Sequence, residues 1–347
     1  MNIMKIIITL LSILLSLLLV NCDNTQSSEA NHNLEELLTD LVVSDGDLSL
    51  DALSDEEVAN ELFIDGDADE LGRYELVENY EFPIKWGRFI QSIEGNIVFD
   101  QYDLETDTIY ASIERVIIGN LVVVSGDTST TDSGFVFTPI DTTSKPFEMF
   151  STRRVRFVRM FGNEDPFHGW RIRGKTPVVI NSVASTVGIS SISLNRQTAV
   201  FEFEPIFSYS PSDSTVDPFL TIQNIPRLFN HEFIKALTLI DNTNPDMGEY
   251  PGSGEGVFLH YGRFHHFKGR HPMFDDGGII SYNGHYSFDE TENDNEFTRI
   301  FKVRRSQNNQ NGPAYKMYFD TIDYETLLNP EGEYHSTIIG IPYIIQN

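Results

Sequence analysis

"TIYASIERVIIGNLVVVSGD", Thr108 to Asp127, alternates apolar and polar side chains, runs on through β-branched residues and stops at Gly126 and Asp127. Alternation of period two with β-branched filling marks a strand on a half-buried sheet. The pattern returns in "RRVRFVRMF" (Arg153 to Phe161) and "HGWRIRGKTPVVI" (His168 to Ile180), each bounded by Gly, Pro, Asp or Asn. Together these runs predict a curved antiparallel sheet. Upstream, Leu34, Leu37, Leu38 and Leu41 follow helical spacing, and "SDEE" offers a capping box from Ser54 to Glu57 ahead of Val58, Leu62 and Phe63. Residues 34–181 therefore read as α+β, with two short helices packed on the sheet.

Helices first, then long strands that include the tryptophan-bearing "GWRI" (Gly169 to Ile172): in this order of elements residues 34–181 resemble the cystatin-like cone of the nuclear transport factor superfamily. Some families of that fold are enzymes with acid and base residues in a deep pocket. This sequence marks no such pocket, and fold alone does not establish function.

Residues 205–218, "PIFSYSPSDSTVDP", are rich in Pro, Ser and Asp and read as the end of a connecting segment, 182–218. Beyond it "EFIKALTLID", "GVFLHYG", "EFTRIFKVRR", "AYKMYFDTID" and "HSTIIGIPYII" are strands separated by turn-rich stretches. With no helical run between them, residues 219–347 are expected to form an all-β, immunoglobulin-like sandwich.

The chain carries 24 Lys and Arg against 52 Asp and Glu, a net charge of −28. Such a balance repels nucleic acid and anionic headgroups. Acid is densest from Asp23 to Glu81, where nineteen acidic residues face one base, Arg73. "DGDADELGRYEL" from Asp65 places carboxylates at loop positions 1, 3 and 5 of a calcium loop, but Glu70 and Leu76 stand where Gly and Glu are required. The arm reads as a solvated acidic surface.

The sign reverses between Arg153 and Lys175, where Arg153, Arg154, Arg156, Arg159, Arg171, Arg173 and Lys175 meet only Glu164 and Asp165. Planar guanidinium groups on paired strands can hold carboxylate or phosphate bidentately, which makes the six arginines a candidate anion site. Two other readings stand beside it. The arginines can face the acidic arm of the same molecule, or can be the solvent face of two strands.

"VFLHYGRFHHFKGRHPMFDDGG", Val257 to Gly278, holds four of the nine histidines. On one continuous strand His260 and His266 would stand about 20 Å apart, too far to share a metal ion. A two-residue turn at Lys268 and Gly269 would oppose His266 and His271, giving two ligands where zinc wants three or four. His285, Asp275 or Asp276 would have to complete the set. "MFDDGG" followed by "YNGHYSF" resembles a loop of bacterial surface immunoglobulin-like domains, including those called choice-of-anchor X, in which a strand ends in Asp-Asp-Gly and a Gly-Asp-Gly-x-Tyr segment starts the next. Asp275, Asp276, Gly277, Gly284 and Tyr286 match, and His285 departs from the family. On this view the carboxylates fasten a turn by accepting from backbone amides. The competing reading is a metal-assisted envelope hydrolase that uses His266, His271 and a nearby carboxylate.

At the amino terminus Lys5 precedes an apolar run from Ile6 to Val20, broken only by Thr9, Ser12 and Ser16, and then comes Cys22, the single cysteine. The run is short of the roughly 20 residues a membrane span needs and suits an export signal over residues 1–21. Leu19, Val20, Asn21 and Cys22 resemble a bacterial lipoprotein lipobox, with Asn21 where the family has Gly, Ala or Ser. The resemblance implies acylation of Cys22, and a lone thiol in an exported protein has no disulfide partner to explain it otherwise. Residues 22–33 would then be a polar tether, and removal of residues 1–21 leaves 23 − 52 = −29. A Gly-x-Ser-x-Gly elbow and a P-loop are absent, and in "HEFIK" Lys235 replaces the second histidine of a zincin. The expectation is a membrane-anchored cell-envelope protein, non-catalytic and without a cofactor, that meets an envelope protein or glycan and no nucleic acid.

Overall fold

The structure, a computed structural model, describes residues 33–42, 84–103, 105–131, 134–160, 167–200, 202–213, 217–243, 254–261, 269–282, 285–292, 294–303, 315–329 and 331–346. The export signal, Cys22, the capping box at Ser54, both "DGD" triplets, His265 and His266 lie outside the described residues. What is described is mostly β. Helix α1 covers residues 33–42, and α2, Tyr324–Leu328, is a single turn capped by Asp323.

The first strands are long. β1 (Ile84–Phe99), β2 (Thr108–Thr131) and β3 (Gly134–Arg159) form an antiparallel meander, paired from Ile84↔Ser125 to Phe99↔Ala111 and from Thr108↔Val158 to Thr131↔Gly134, with one register shift in each pair, between Ile90 and Ser92 and between Ser125 and Gly126. β4 (Trp170–Lys175) and β5 (Val178–Ser182) follow, both paired with β3. Next come β6 (Val187–Ala199), β7 (Glu202–Tyr209), β8 (Arg227–Phe229) and β9 (Phe233–Asn242). β10 (Glu255–Tyr261), β11 (Gly269–Pro272), β12 (Asp276–Tyr282), β13 (His285–Glu292) and β14 (Glu296–Lys302) precede β15 (Tyr315–Asp323) and β16 (Ser336–Gln346).

Two sheets result. One has the order β1-β2-β3-β5-β16-β15-β10-β11, with β4 on β3 and β8 on β16; the other runs β12-β13-β14-β9-β6-β7. In the first, β1 and β10 are six places apart, about 29 Å on a flat sheet at 4.8 Å per strand. Yet the rings of Trp86 in β1 and Phe258 in β10 have centroids 5.6 Å apart. The sheet therefore curls back on itself. Trp86, Ile117, Leu121, Phe147, Val178, Phe258 and Ile338 fill the inside of the curl.

The second sheet packs on the far side of β15, β16 and β10, so these strands are buried on both faces. Ile338 points into the curl while Ile339 and Ile341 point to the second sheet, and Phe258 and Leu259 divide in the same way. This explains the unbroken apolar run "TIIGIPYII": a strand covered on both faces has no solvent side to alternate with. Strand β9, covered on one face, keeps the alternation of buried and exposed residues.

Three corrections to the sequence reading follow. Among the described residues no helix-on-sheet cone is formed. Helix α1 does bury Leu38 and Leu41, but only against the outer end of β2 to β4, at Ile109, Val155, Phe157 and Trp170. The sheet beneath it continues through β5, paired with β16, into the carboxy-terminal strands. Residues 182–218 are also more than a connection, because β6 and β7 lie there and pair with β9 in the second sheet. The sandwich-like stack thus draws on strands upstream of residue 219. Periodicity reports that a segment is a strand; it does not report the partner.

Candidate functional site

Strand geometry divides the six arginines of the candidate anion site. Along β3, Arg153 is buried on the same side as Val155 and Phe157, while Arg154 and Arg156 face outward. On β4 the pairs Phe157↔Ile172 and Arg156↔Gly174 leave Arg173 as an extra residue, a bulge that turns its side chain out to solvent. Arg171, paired with Val158, shares that outer face, whereas Arg159 is paired with the buried Trp170. Four of the six arginines are brought together, and Arg153 and Arg159 are not. Side chains alternate strictly, so no single face could have taken all six.

The outer face has a definite build. Arg154 bonds to Asp100, and its guanidinium lies 5.5 Å over the Tyr110 ring. Arg156 Nη1 donates to Asp217 Oδ2 at 2.8 Å and lies 5.0 Å over Phe219. The two rings are themselves in contact, 5.5 Å between centroids. Arg171 Nη1 donates to the Trp170 carbonyl at 2.7 Å, and Arg173 Nε meets the Met160 thioether at 2.6 Å. Slight burial raises the Asp217 carboxyl, but bonds from the Phe219 amide and Arg156 outweigh it and leave its pKa below the ordinary value.

These carboxylates are not those of the acidic arm. The described part of the arm, α1, sits on the opposite face, where Tyr102 donates to Glu35 at 3.2 Å. Burial first and the Glu35 charge second push the Tyr102 hydroxyl up to about 12.

The histidine run is rearranged relative to expectation. β10 and β11 pair as Tyr261↔Gly269, His260↔Arg270 and Leu259↔His271. His271 is therefore opposite Leu259 and not His266, because the hairpin loop is longer than two residues. The His271 ring stacks on Tyr261 at 4.9 Å, and Arg299 Nη2 lies 3.4 Å from its Nδ1. A guanidinium beside Nδ1 places positive charge where a metal ion bound through that nitrogen would have to come. Asp275 accepts from the amides of Asp294 (3.2 Å) and Asn295 (2.8 Å), fastening the turn between β13 and β14. Asp276 opens β12, so the Asp-Asp-Gly stretch starts a strand instead of ending one. "HEFIK" lies at the start of strand β9, where Glu232 accepts from Arg196 at 2.7 Å. Among the described residues no three His, Cys, Asp or Glu converge as a metal-ligand group.

Sequence reasoning missed a buried charged cluster inside the curl. Arg88 of β1 donates from Nη1 to Asp320 Oδ2 (2.6 Å), from Nη2 to Asp320 Oδ1 (2.9 Å) and Ser336 Oγ (2.9 Å), and from Nε to the Tyr334 hydroxyl. His260 Nε2 lies 3.2 Å from Asp320 Oδ2, and the Arg88 guanidinium lies 5.1 Å over Trp86. Burial raises the Asp320 carboxyl, yet the Arg88 charge and the bond from His260 outweigh it and hold the pKa well below the usual carboxylate range. Burial likewise disfavours the Arg88 charge, and Asp320 with Tyr334 more than offsets it, so the guanidinium stays protonated. Arg88 and Asp320 are 2% and 0% exposed, and each carboxylate oxygen already has a cationic partner. Such a cluster ties strands together and leaves no oxygen open to a substrate. Its one trace in the sequence is a charge inside an apolar strand, Asp320 in "KMYFDTI".

No protein-family model, curated protein or solved structure matches this chain.

Proposed function

We propose that the chain is an exported, lipid-anchored cell-envelope protein with a non-catalytic binding or assembly role. The observation that carries the reading is Cys22, the single cysteine of 347 residues, placed where a fifteen-residue apolar run ends. Acyl chains stabilise membrane attachment by roughly 0.8 kcal/mol per buried methylene, so two or three of them hold a protein on a bilayer. Among the described residues no helix is long and apolar enough to cross a membrane.

The described interior supports a scaffold role. Three of its buried ionisable groups, Arg88, Asp320 and His260, are engaged with one another. Stacked, twisted sheets offer broad, rigid faces, which suit binding of an extended partner. Expression in a bacterial host with radiolabelled palmitate tests the anchor. Wild-type chain should take up label and sediment with membranes, and Cys22→Ala should do neither; equal labelling of the Cys22→Ala chain would sink the proposal.

A further inference from the structure

We propose that the outer face of β3 and β4 binds an anionic polysaccharide that carries carboxylate groups. The inference rests on the envelope reading above, which places such polymers within reach, and it names the partner.

Charge complementarity selects the class. On a chain of net charge −28, Arg154, Arg156, Arg171 and Arg173 share one face. At about 3.3 Å per residue along a strand and about 4.8 Å between strands, the Cα positions of the four arginines fall within roughly 15 Å. Screening over about 8 Å at physiological salt confines the rest of the molecule's negative field, so a ligand at this face meets chiefly the local arginines. Each guanidinium carries five donors and can bond an external oxyanion while keeping its present partner.

The aspartates decide between polyanions. Asp100 and Asp217, 43% and 54% exposed, stand beside Arg154 and Arg156, so donor and acceptor alternate across the face. Sugar hydroxyls donate and accept, and match that alternation. An acidic peptide offers its carboxylates as acceptors only and is repelled by both aspartates. Nucleic acid, with one charge per about 1.7 Å of duplex, is repelled more strongly still. A polymer of hydroxyl-rich sugar units, each bearing a carboxylate, meets all the groups present. Arg173 adds a cation whose bond among the described residues is to a thioether, a weak acceptor.

The test is calorimetric titration of the full chain, held in neutral detergent, with polygalacturonate, neutral dextran and polyglutamate. Polygalacturonate should bind, and its affinity should fall about tenfold when salt is raised from about 20 mM to about 200 mM. The double variant Arg154→Glu, Arg173→Glu should weaken binding at least about tenfold with an unchanged melting temperature, because both side chains are exposed. If that variant melts early, Arg173→Gln alone should still weaken binding. Three results overturn the proposal: no binding of polygalacturonate, equal binding of dextran or polyglutamate, or unchanged binding by the variants. Palmitate labelling is read on separate cells, so failure of the anchor and failure of the glycan face are told apart.

Discussion

Arg88 and Asp320 stand 232 residues apart in the chain and meet in two parallel hydrogen bonds of 2.6 and 2.9 Å, almost sealed from solvent. The contact joins β1 to β15 across the inside of the curled sheet. Removing one partner of a buried pair leaves the other charged and unsolvated, a cost of about 3–5 kcal/mol. Asp320→Asn should therefore lower the urea midpoint substantially. Arg88→Met combined with Asp320→Leu should recover most of that loss, since well-packed apolar side chains can replace a buried pair. A double variant no more stable than the singles would contradict the pairing.

The same carboxylate sets an acid limit. Asp320 titrates lower in the folded chain than in the unfolded one, where an aspartate has a pKa of about 3.9. Below about pH 5 the unfolded chain begins to bind a proton that the folded chain refuses, so stability falls as pH drops. Above that range the contribution of Asp320 is constant. Unfolding free energy measured from about pH 7 down to about pH 2 should decline less steeply for Asp320→Asn than for wild type. Parallel slopes would show that Asp320 is not held below its ordinary range.

Helix α1 should detach without loss of the sheets. Leu38 is wholly buried among Ile109, Val155 and Phe157, and truncating such a leucine costs about 2–5 kcal/mol. Ten residues of helix have little stability of their own. In Leu38→Ala, amides of residues 33–42 should exchange with deuterium much faster than in wild type while those of β15 keep their protection. Unchanged exchange in α1 would contradict the packing.

Gly340 tests the double-sided burial of β16. A methyl group there would lie 2.5 Å from both Tyr318 Cε1 and Val178 Cγ1, side chains fixed within the curl. Gly340→Ala should lower stability by about 1–3 kcal/mol through overpacking. A melting temperature equal to wild type would show space that the structure does not contain.

What could be read from the sequence was local. Alternation in Thr108–Asp127 and spacing of Leu34 to Leu41 gave strands and a helix at the right places, because both depend only on near neighbours. Pairing of β5 with β16 joins Ile180 to Ile338, a contact no window of residues can contain. The expected cone failed for that reason. Period two alone separates Arg153 from Arg154, and Asn283-Gly284 is a two-residue hairpin signal in the sequence between the paired Tyr282 and His285. The Arg88 cluster had no motif to find, since Arg88, His260, Asp320 and Tyr334 come from four distant segments.

The central claim, that this chain is held at an envelope membrane through Cys22, is tested most directly by mass spectrometry of the amino-terminal peptide from protein purified out of bacterial membranes. The account predicts a peptide that begins at Cys22 and carries the mass of a diacylglyceryl group, with or without a further acyl chain. A peptide in which Cys22 is unmodified, or follows residues 1–21 still attached, would contradict it.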